Sequence, residues 1–239
     1  MKAVPKEDST MFLGDPTFLL VIPALILSLY AQAKVRGAYA KYSQVIASSR
    51  LTGAQAAYQL LQAAGAGNVT IEKIPGDLTD HYDPRKKVLR LSQGVHDSPS
   101  IAALGIAAHE TGHAIQDHAH YQPMALRSVI YPVANLGSTL AFPIFLVGLF
   151  FGGRTSTTLM DIGILLFAGA VAFTVVTLPV EFNASKRALA LLGERQFLSP
   201  NELAGARQVL SAAALTYVAS TAMAAVQLLR MFLLRSSRD

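Results

Sequence analysis

The chain contains no cysteine among its 239 residues, which removes any disulfide framework and any thiolate metal site. A metal bound here must therefore be held by histidine and carboxylate. Charge is scarce as well: Asp, Glu, Lys and Arg make up 15% of the chain, against about a quarter in soluble domains. With 52% hydrophobic residues, there are too few charges to wet the surface unless part of it faces lipid. This balance excludes disorder, collagen and an ordinary soluble domain, and it points to a membrane protein. The basic excess, 20 Lys+Arg over 15 Asp+Glu, is not gathered into a stripe interleaved with aromatics, so nucleic acid is not an expected partner. No internal repeat is present, nor any low-complexity tract beyond alanine enrichment.

Four windows carry no charged residue: 16–33, 128–153, 162–180 and 208–229. A hydrocarbon core about 30 Å thick needs roughly 20 apolar helical residues, so the second and third windows qualify comfortably. The first is near the short limit, opens on Asp15-Pro16 and contains Pro23, a candidate kink. The fourth is alanine-rich, and reads either as a span or as a buried core helix. Ala31-Gln32-Ala33 resembles the end of a signal peptide, but Lys2 and Lys6 are offset by Glu7, Asp8 and Asp15. The expectation is an uncleaved anchor with its N-terminus outside. Lys34, Arg36 and Lys41 follow the first window and place its end in the cytoplasm. Fourteen of the 20 Lys+Arg, in 34–127 and 186–207, agree with that orientation. If the fourth window spans fully, Arg230, Arg235 and Arg238 end outside, against the same rule.

The long polar stretch, 34–127, is the expected working module. Thr52 is a candidate N-cap and Gly65 a candidate stop for an amphipathic helix. Val69 to Ile74 and Lys87 to Leu91 alternate like strands, with turns at Pro75-Gly76 and Asp83-Pro84. Ser98-Pro99 predicts an N-cap followed by proline at the first helical position, opening a helix that runs to about Asp117. Ser199-Pro200-Asn201-Glu202 is a capping box that starts the last long helix.

Within that module His109-Glu110-Thr111-Gly112-His113 is an H-E-x-x-H pattern. Residues four apart share a helix face, so both imidazoles can meet one metal ion. Glu110 is rotated about 100° away, beside the ligands, where it can accept a proton from a metal-activated water. The run before it, Ala102 to Ala108, is small and apolar, so the helix can be buried. A catalytic zinc site takes three protein ligands and keeps one position open. The metzincin spacing asks for Gly at 116 and His at 119, whereas this chain has Gln116 and Ala119. His118 and His120 fall at or beyond the end of the helix, leaving Glu181 as the better third ligand. It is the sole carboxylate between Asp161 and Glu194. Parity supports the choice: two spans separate the motif from Glu181, so both emerge on the same side. The alternative is an interfacial acid near Lys186 and Arg187.

Taken together, the following residues resemble the YugP-like family of bacterial membrane zinc metallopeptidases. They are Leu78-Thr79-Asp80-His81-Tyr82-Asp83-Pro84, the stretch Ala107 to Gln116, Leu178 to Arg187, and Ala212-Ala213-Ala214-Leu215-Thr216-Tyr217-Val218. The resemblance covers nearly everything from Asp15 to Leu234; the first ten residues lie outside it and read as a dispensable extension. It implies a zinc-dependent endopeptidase of the gluzincin type, with one Zn2+ per chain held by His109, His113 and Glu181 and with Glu110 as acid/base. The chain also resembles the HtpX and CAAX prenyl protease groups, whose third-ligand motif is Glu-x-x-x-Asp. Here Ser185 stands at the Asp position, so Asn183 or Ser185 is expected to orient a ligand instead.

The expected fold is an α-helical membrane protein with about four transmembrane helices and a small α+β zincin-like module. Its expected parts are an extension (1–15), an anchor (16–33), the catalytic module (34–127), two transmembrane helices (128–180), and a third-ligand helix with a C-terminal helix that spans or lies at the interface (181–239). His81 and Tyr82 are the candidate oxyanion donors, with His81 as a plain loop residue the alternative. The strand at Lys87 to Leu91 offers an exposed edge to an extended substrate, while Arg85, Lys86, Lys87 and Arg90 form a solvated face or meet anionic lipid headgroups. Expected partners are a protein or peptide substrate and the lipid bilayer, in the bacterial plasma membrane, with the active site on the cytoplasmic side. The competing readings are a catalytically inactive scaffold or quality-control adaptor with a retained metal site, and a protease that cuts inside the bilayer.

Overall fold

The computed structural model describes residues 16–237. The extension expected at 1–15, the Asp15 helix start and Arg238 lie outside the described residues. A 3-10 helix, Pro16–Leu20, leads into α1 (Val21–Tyr42), and then come α2 (Gly53–Ala63), β1 (Thr70–Ile74), β2 (His81–Asp83), β3 (Val88–Ser92), α3 (Gln93–His96) and α4 (Ile101–His118). Three long helices complete the order: α5 (Gln122–Phe150), α6 (Gly153–Glu194) and α7 (Pro200–Ser236). Four helical segments, of 27, 29, 42 and 37 residues, are long and apolar enough to cross a membrane. The chain is an α-helical membrane protein with a small three-stranded module. Pro23 falls in the first turn of α1, where its missing N–H costs nothing.

The helices run well past the uncharged windows. At about 1.5 Å per residue, a helix as long as α6 far exceeds a hydrocarbon core of about 30 Å. Hydropathy marks the lipid-length stretch and not the helix ends, so Glu181 lies inside α6, two residues after Pro179, and not at its exit.

The chain divides into two compact units. One comprises the described residues up to Ser28 with 133–172 and 219–237. Its core is Phe145, Met160, Ile164 and Met231. Glycine allows α5 and α6 to approach closely, since a Cβ at Gly137 would lie 2.8 Å from the Leu166 carbonyl oxygen, as small residues do at helix contacts in membranes. Arg235 and Asp161 pair at 2.8 Å, while Phe150, Leu165 and Val133 present bare apolar surface of the kind lipid covers.

The other unit, 29–132 with 173–218, holds the module. Thr52 caps α2 in a reciprocal box with Gln55, and Gly65 ends that region at φ +73°, a left-handed conformation that glycine adopts without strain. Ser199 and Glu202 cap α7 in the same manner.

Two sequence expectations are corrected here. The strand at Lys87 to Leu91 has no free edge, because β3 is central: β1 pairs with it in parallel and β2 antiparallel. The cause is β2, three residues too short to show alternation, which the Asp83-Pro84 turn folds back. The Asp83 carboxylate accepts the Arg85 and Lys86 N–H groups in that turn. Arg90 consequently lies between Glu72 on β1 and Asp83 on β2, at 3.0 and 3.2 Å, and Lys87 pairs with Asp117. The helix cap is Ser100, whose Oγ accepts the Ala103 N–H, and not Ser98. Residues 98–100 are extended instead: the Pro99 carbonyl accepts the Ala47 N–H, and Ser100 bridges Ile46.

Helix α4 is buried along nearly its whole length. Leu60, Ile101, Leu104, Leu192 and Leu210 cluster on one side of it, and Leu61, Leu89, Leu91 and Val95 on another. Each such side chain contributes about 1.5–3 kcal/mol on burial, which fixes the motif helix rigidly.

Candidate metal centre

His109 and His113 lie one turn apart on α4, and their rings meet edge to face with centroids 4.8 Å apart. Glu181, 2% exposed, reaches them from α6. Its Oε2 lies 3.3 Å from His109 Nε2 and 3.5 Å from His113 Nε2. Among the described residues these three form the one group of His, Asp and Glu side chains able to hold a metal ion. Two atoms each about 2.1 Å from a shared zinc at a tetrahedral angle sit ~3.4 Å apart, so the spacing fits zinc.

The hydrogen bonds behind the imidazoles fit it too. Gln116 is fully buried, and its Nε2 donates to the Val180 carbonyl at 2.9 Å and to Asn183 Oδ1 at 3.0 Å. A carbonyl cannot donate, so the amide orientation is fixed and Oε1 is the end facing His113 Nδ1, 3.0 Å away. His113 Nδ1 must then carry the proton, which leaves the Nε2 lone pair aimed at the triad. Ser185 Oγ lies 3.1 Å from His109 Nδ1, so a hydroxyl occupies the place where an acid stands in the Glu-x-x-x-Asp groups. Asn183 works through Gln116 and is held in turn by Arg187 at 2.8 Å.

The α4 to α6 distance on which the triad depends is set by Gly112. A Cβ there would meet the Ala184 carbonyl oxygen at 2.8 Å, too close for any other residue without a backbone shift.

Glu110 stands beside the triad and keeps some solvent contact. Burial pushes its carboxyl above the ordinary range, against the pull of His109 and His113, with Glu181 and Asp80 adding to the rise. Burial opposes protonation of His113, but Glu181 and Glu110 outweigh it, so the metal-free imidazole holds its proton more tightly than usual.

The remaining sequence candidates have partners of their own. His81 is on the exposed face of β2, its Nδ1 2.9 Å from the Thr79 carbonyl and its Nε2 3.4 Å from Arg90. Tyr82 is buried and donates its hydroxyl to Asp117 at 2.6 Å. His118 points toward α2, with Nε2 3.7 Å from where a Cβ of Gly65 would lie, and His120 follows the helix at φ +52°.

Three residues that sequence reasoning did not single out adjoin the triad: Gln116, Arg127 and Tyr217. Arg127 Nη1 lies 3.5 Å from Glu181 Oε1. The Tyr217 hydroxyl, from α7, hydrogen-bonds Glu181 and lies in electrostatic range of Glu110 and Arg127. Gln116 carried a signal, since an amide three residues after a ligand on the same helix can reach back to it. Tyr217 stands in one of the stretches that carry the resemblance, without a role read from it, and Arg127 lies too far along the chain to have given a signal.

The sequence profile of a family described as "Putative neutral zinc metallopeptidase" matches residues 17–236. The Bacillus subtilis (strain 168) protein named "Putative membrane protease YugP" is 47% identical over 211 residues, covering 88% of this chain and 92% of that relative. No solved structure matches the chain.

Proposed function

The chain belongs to the neutral zinc metallopeptidase family, and from that premise we propose that it is a membrane-embedded zinc endopeptidase acting on membrane-associated or unfolded proteins. His109, His113 and Glu181 hold one zinc ion in this reading, and Glu110 is the acid/base. The observation that carries it is the unshared carboxylate of Glu110 beside three convergent ligand atoms. A structural zinc site is normally closed by four ligands and has no use for such a glutamate, which favours catalysis over the inactive scaffold. The histidines and Glu110 come from the module 34–127, and Glu181 from the segment 181–239. The positive residues around both favour a cytoplasmic site in the bacterial plasma membrane.

Zinc bound there supplies a Lewis acid that polarises the scissile carbonyl and makes a water acidic near neutral pH. Glu110 takes the proton of the attacking water and passes it to the leaving amine. Charge then grows on the carbonyl oxygen and calls for a hydrogen-bond donor. We assign that donor to Tyr217 in preference to His81, because the Tyr217 hydroxyl lies against Glu181 and near Glu110, while His81 is engaged by Thr79 and Arg90. Tyr217→Phe is expected to lower kcat by ~10²-fold with little change in KM and full zinc content; His81→Ala should leave kcat within a few-fold. Steady-state kinetics of the two variants reverse the assignment if the losses are exchanged.

Elemental analysis of the detergent-purified protein tests the whole reading, run with cleavage of an unfolded protein. About one zinc per chain is expected, with cleavage lost on chelation and restored by zinc alone. Bound zinc with no cleavage under any condition would instead favour the scaffold.

A further inference from the structure

Glu181 presents its two oxygens to different neighbours. Oε2 faces both imidazole Nε2 atoms, at 3.3 and 3.5 Å, and Oε1 faces the Arg127 guanidinium at 3.5 Å. We propose that Arg127 is a positioning residue: it occupies Oε1 so that Glu181 offers the metal a single oxygen and the position a reacting water needs stays open. The inference rests on the zinc peptidase reading and extends it to a residue outside the ligand set.

The physical case begins with rotation. The terminal torsion of a glutamate is broad and two-fold, so packing around the stem does not decide which oxygen faces the metal, or whether both do. A carboxylate free to turn can present both oxygens and fill the coordination sphere, and a catalytic zinc site works with three protein ligands and an open place. Arg127 breaks the symmetry. Its planar guanidinium is always charged and offers five N–H donors in a fixed fork. Its side chain is 32% exposed while that of Glu181 is 2% exposed, so the clamp reaches the buried carboxylate from the wet side and keeps its own charge hydrated. Arg127 lies in the second turn of α5, Glu181 on α6 and Tyr217 on α7; all three residues fall in the unit made of 29–132 and 173–218.

The sign of the effect separates this role from a purely electrostatic one. A guanidinium close to a divalent cation repels it, so if charge were its whole contribution, removing Arg127 would tighten metal binding. If it orients Glu181, removing it weakens binding. Outer contacts of this kind cost about 10–100-fold in metal affinity or activity when lost.

The test uses full-length protein in detergent as wild type, Arg127→Met and Arg127→Lys. Zinc affinity is measured by chelator competition, and ligand geometry by the visible spectrum of the cobalt-substituted form. Arg127→Met is expected to bind zinc ~10–100-fold more weakly, with a cobalt spectrum shifted toward a higher coordination number. Arg127→Lys keeps the charge but lacks the fork, so it should fall between. The Lys variant also decides the matter if Arg127→Met does not fold. In the Glu181→Gln background Arg127→Met should no longer weaken binding and should partly restore it, since coupled residues are not additive and only the repulsion of the guanidinium is then removed. Zinc affinity unchanged or tighter in Arg127→Met, with an unaltered cobalt spectrum, overturns the clamp alone. A wild type that binds no zinc overturns the peptidase reading together with it.

Discussion

Glu110→Gln is expected to lose peptide hydrolysis by ~10²–10⁴-fold in kcat while binding zinc as wild type does. The glutamine keeps the size and the local hydrogen-bonding shape of the glutamate, and Glu110 is not one of the three converging ligand atoms. Only the capacity to take a proton from water and return it to the leaving amine is removed. Zinc analysis and single-turnover cleavage, run side by side, separate the two properties. A variant that retains activity within about ten-fold of wild type would remove Glu110 from the mechanism, and one that loses its zinc would mean the residue serves the metal.

What the sequence carried was local, or could be counted. The H-E-x-x-H face follows from helix geometry over five residues, and α4 places both imidazoles together as that period requires. Glu181 needed only the parity of two intervening apolar stretches, and it lies against the histidines. Ser185 was legible as a residue standing where related proteases carry an acid, and its hydroxyl is at His109 Nδ1. The places of Arg127 and Tyr217 at the ligand were not legible, although Tyr217 stands in a stretch that carries the resemblance, because their relation to Glu181 is created by helix packing across 54 and 36 residues of chain. β2 was hidden for a different reason. Three residues cannot display a two-residue period, so its pairing with β3 and the loss of the expected free edge emerge only with the hairpin formed. Ser98 and Ser100 both have capping side chains, and the choice fell to a distant partner, Ile46, which holds Ser100 extended.

Glu181→Gln is expected to abolish stable zinc binding and, with it, all cleavage. The substitution preserves volume in a side chain that is 2% exposed, so packing against α4 survives and the variant should fold. The negative charge is what disappears. An amide oxygen is a weak zinc ligand, and the Gln Nε2 has no lone pair to offer, so one of three ligands is lost outright. The loss should therefore exceed the ~10–100-fold that changes behind the ligands cost. The charge also balances Arg127; with it gone, the guanidinium remains as an unopposed cation facing the place where zinc would bind. Its repulsion adds to the loss, and the effect should be partly relieved in the Glu181→Gln, Arg127→Met pair. Zinc stoichiometry after dialysis against a weak chelator reads both effects. Full zinc in Glu181→Gln would move the third ligand to His118 or His120. The geometry argues against either: five positions after His113, His118 is turned about 140° from its face at 100° per residue, and its ring lies beside Gly65 at the end of α2.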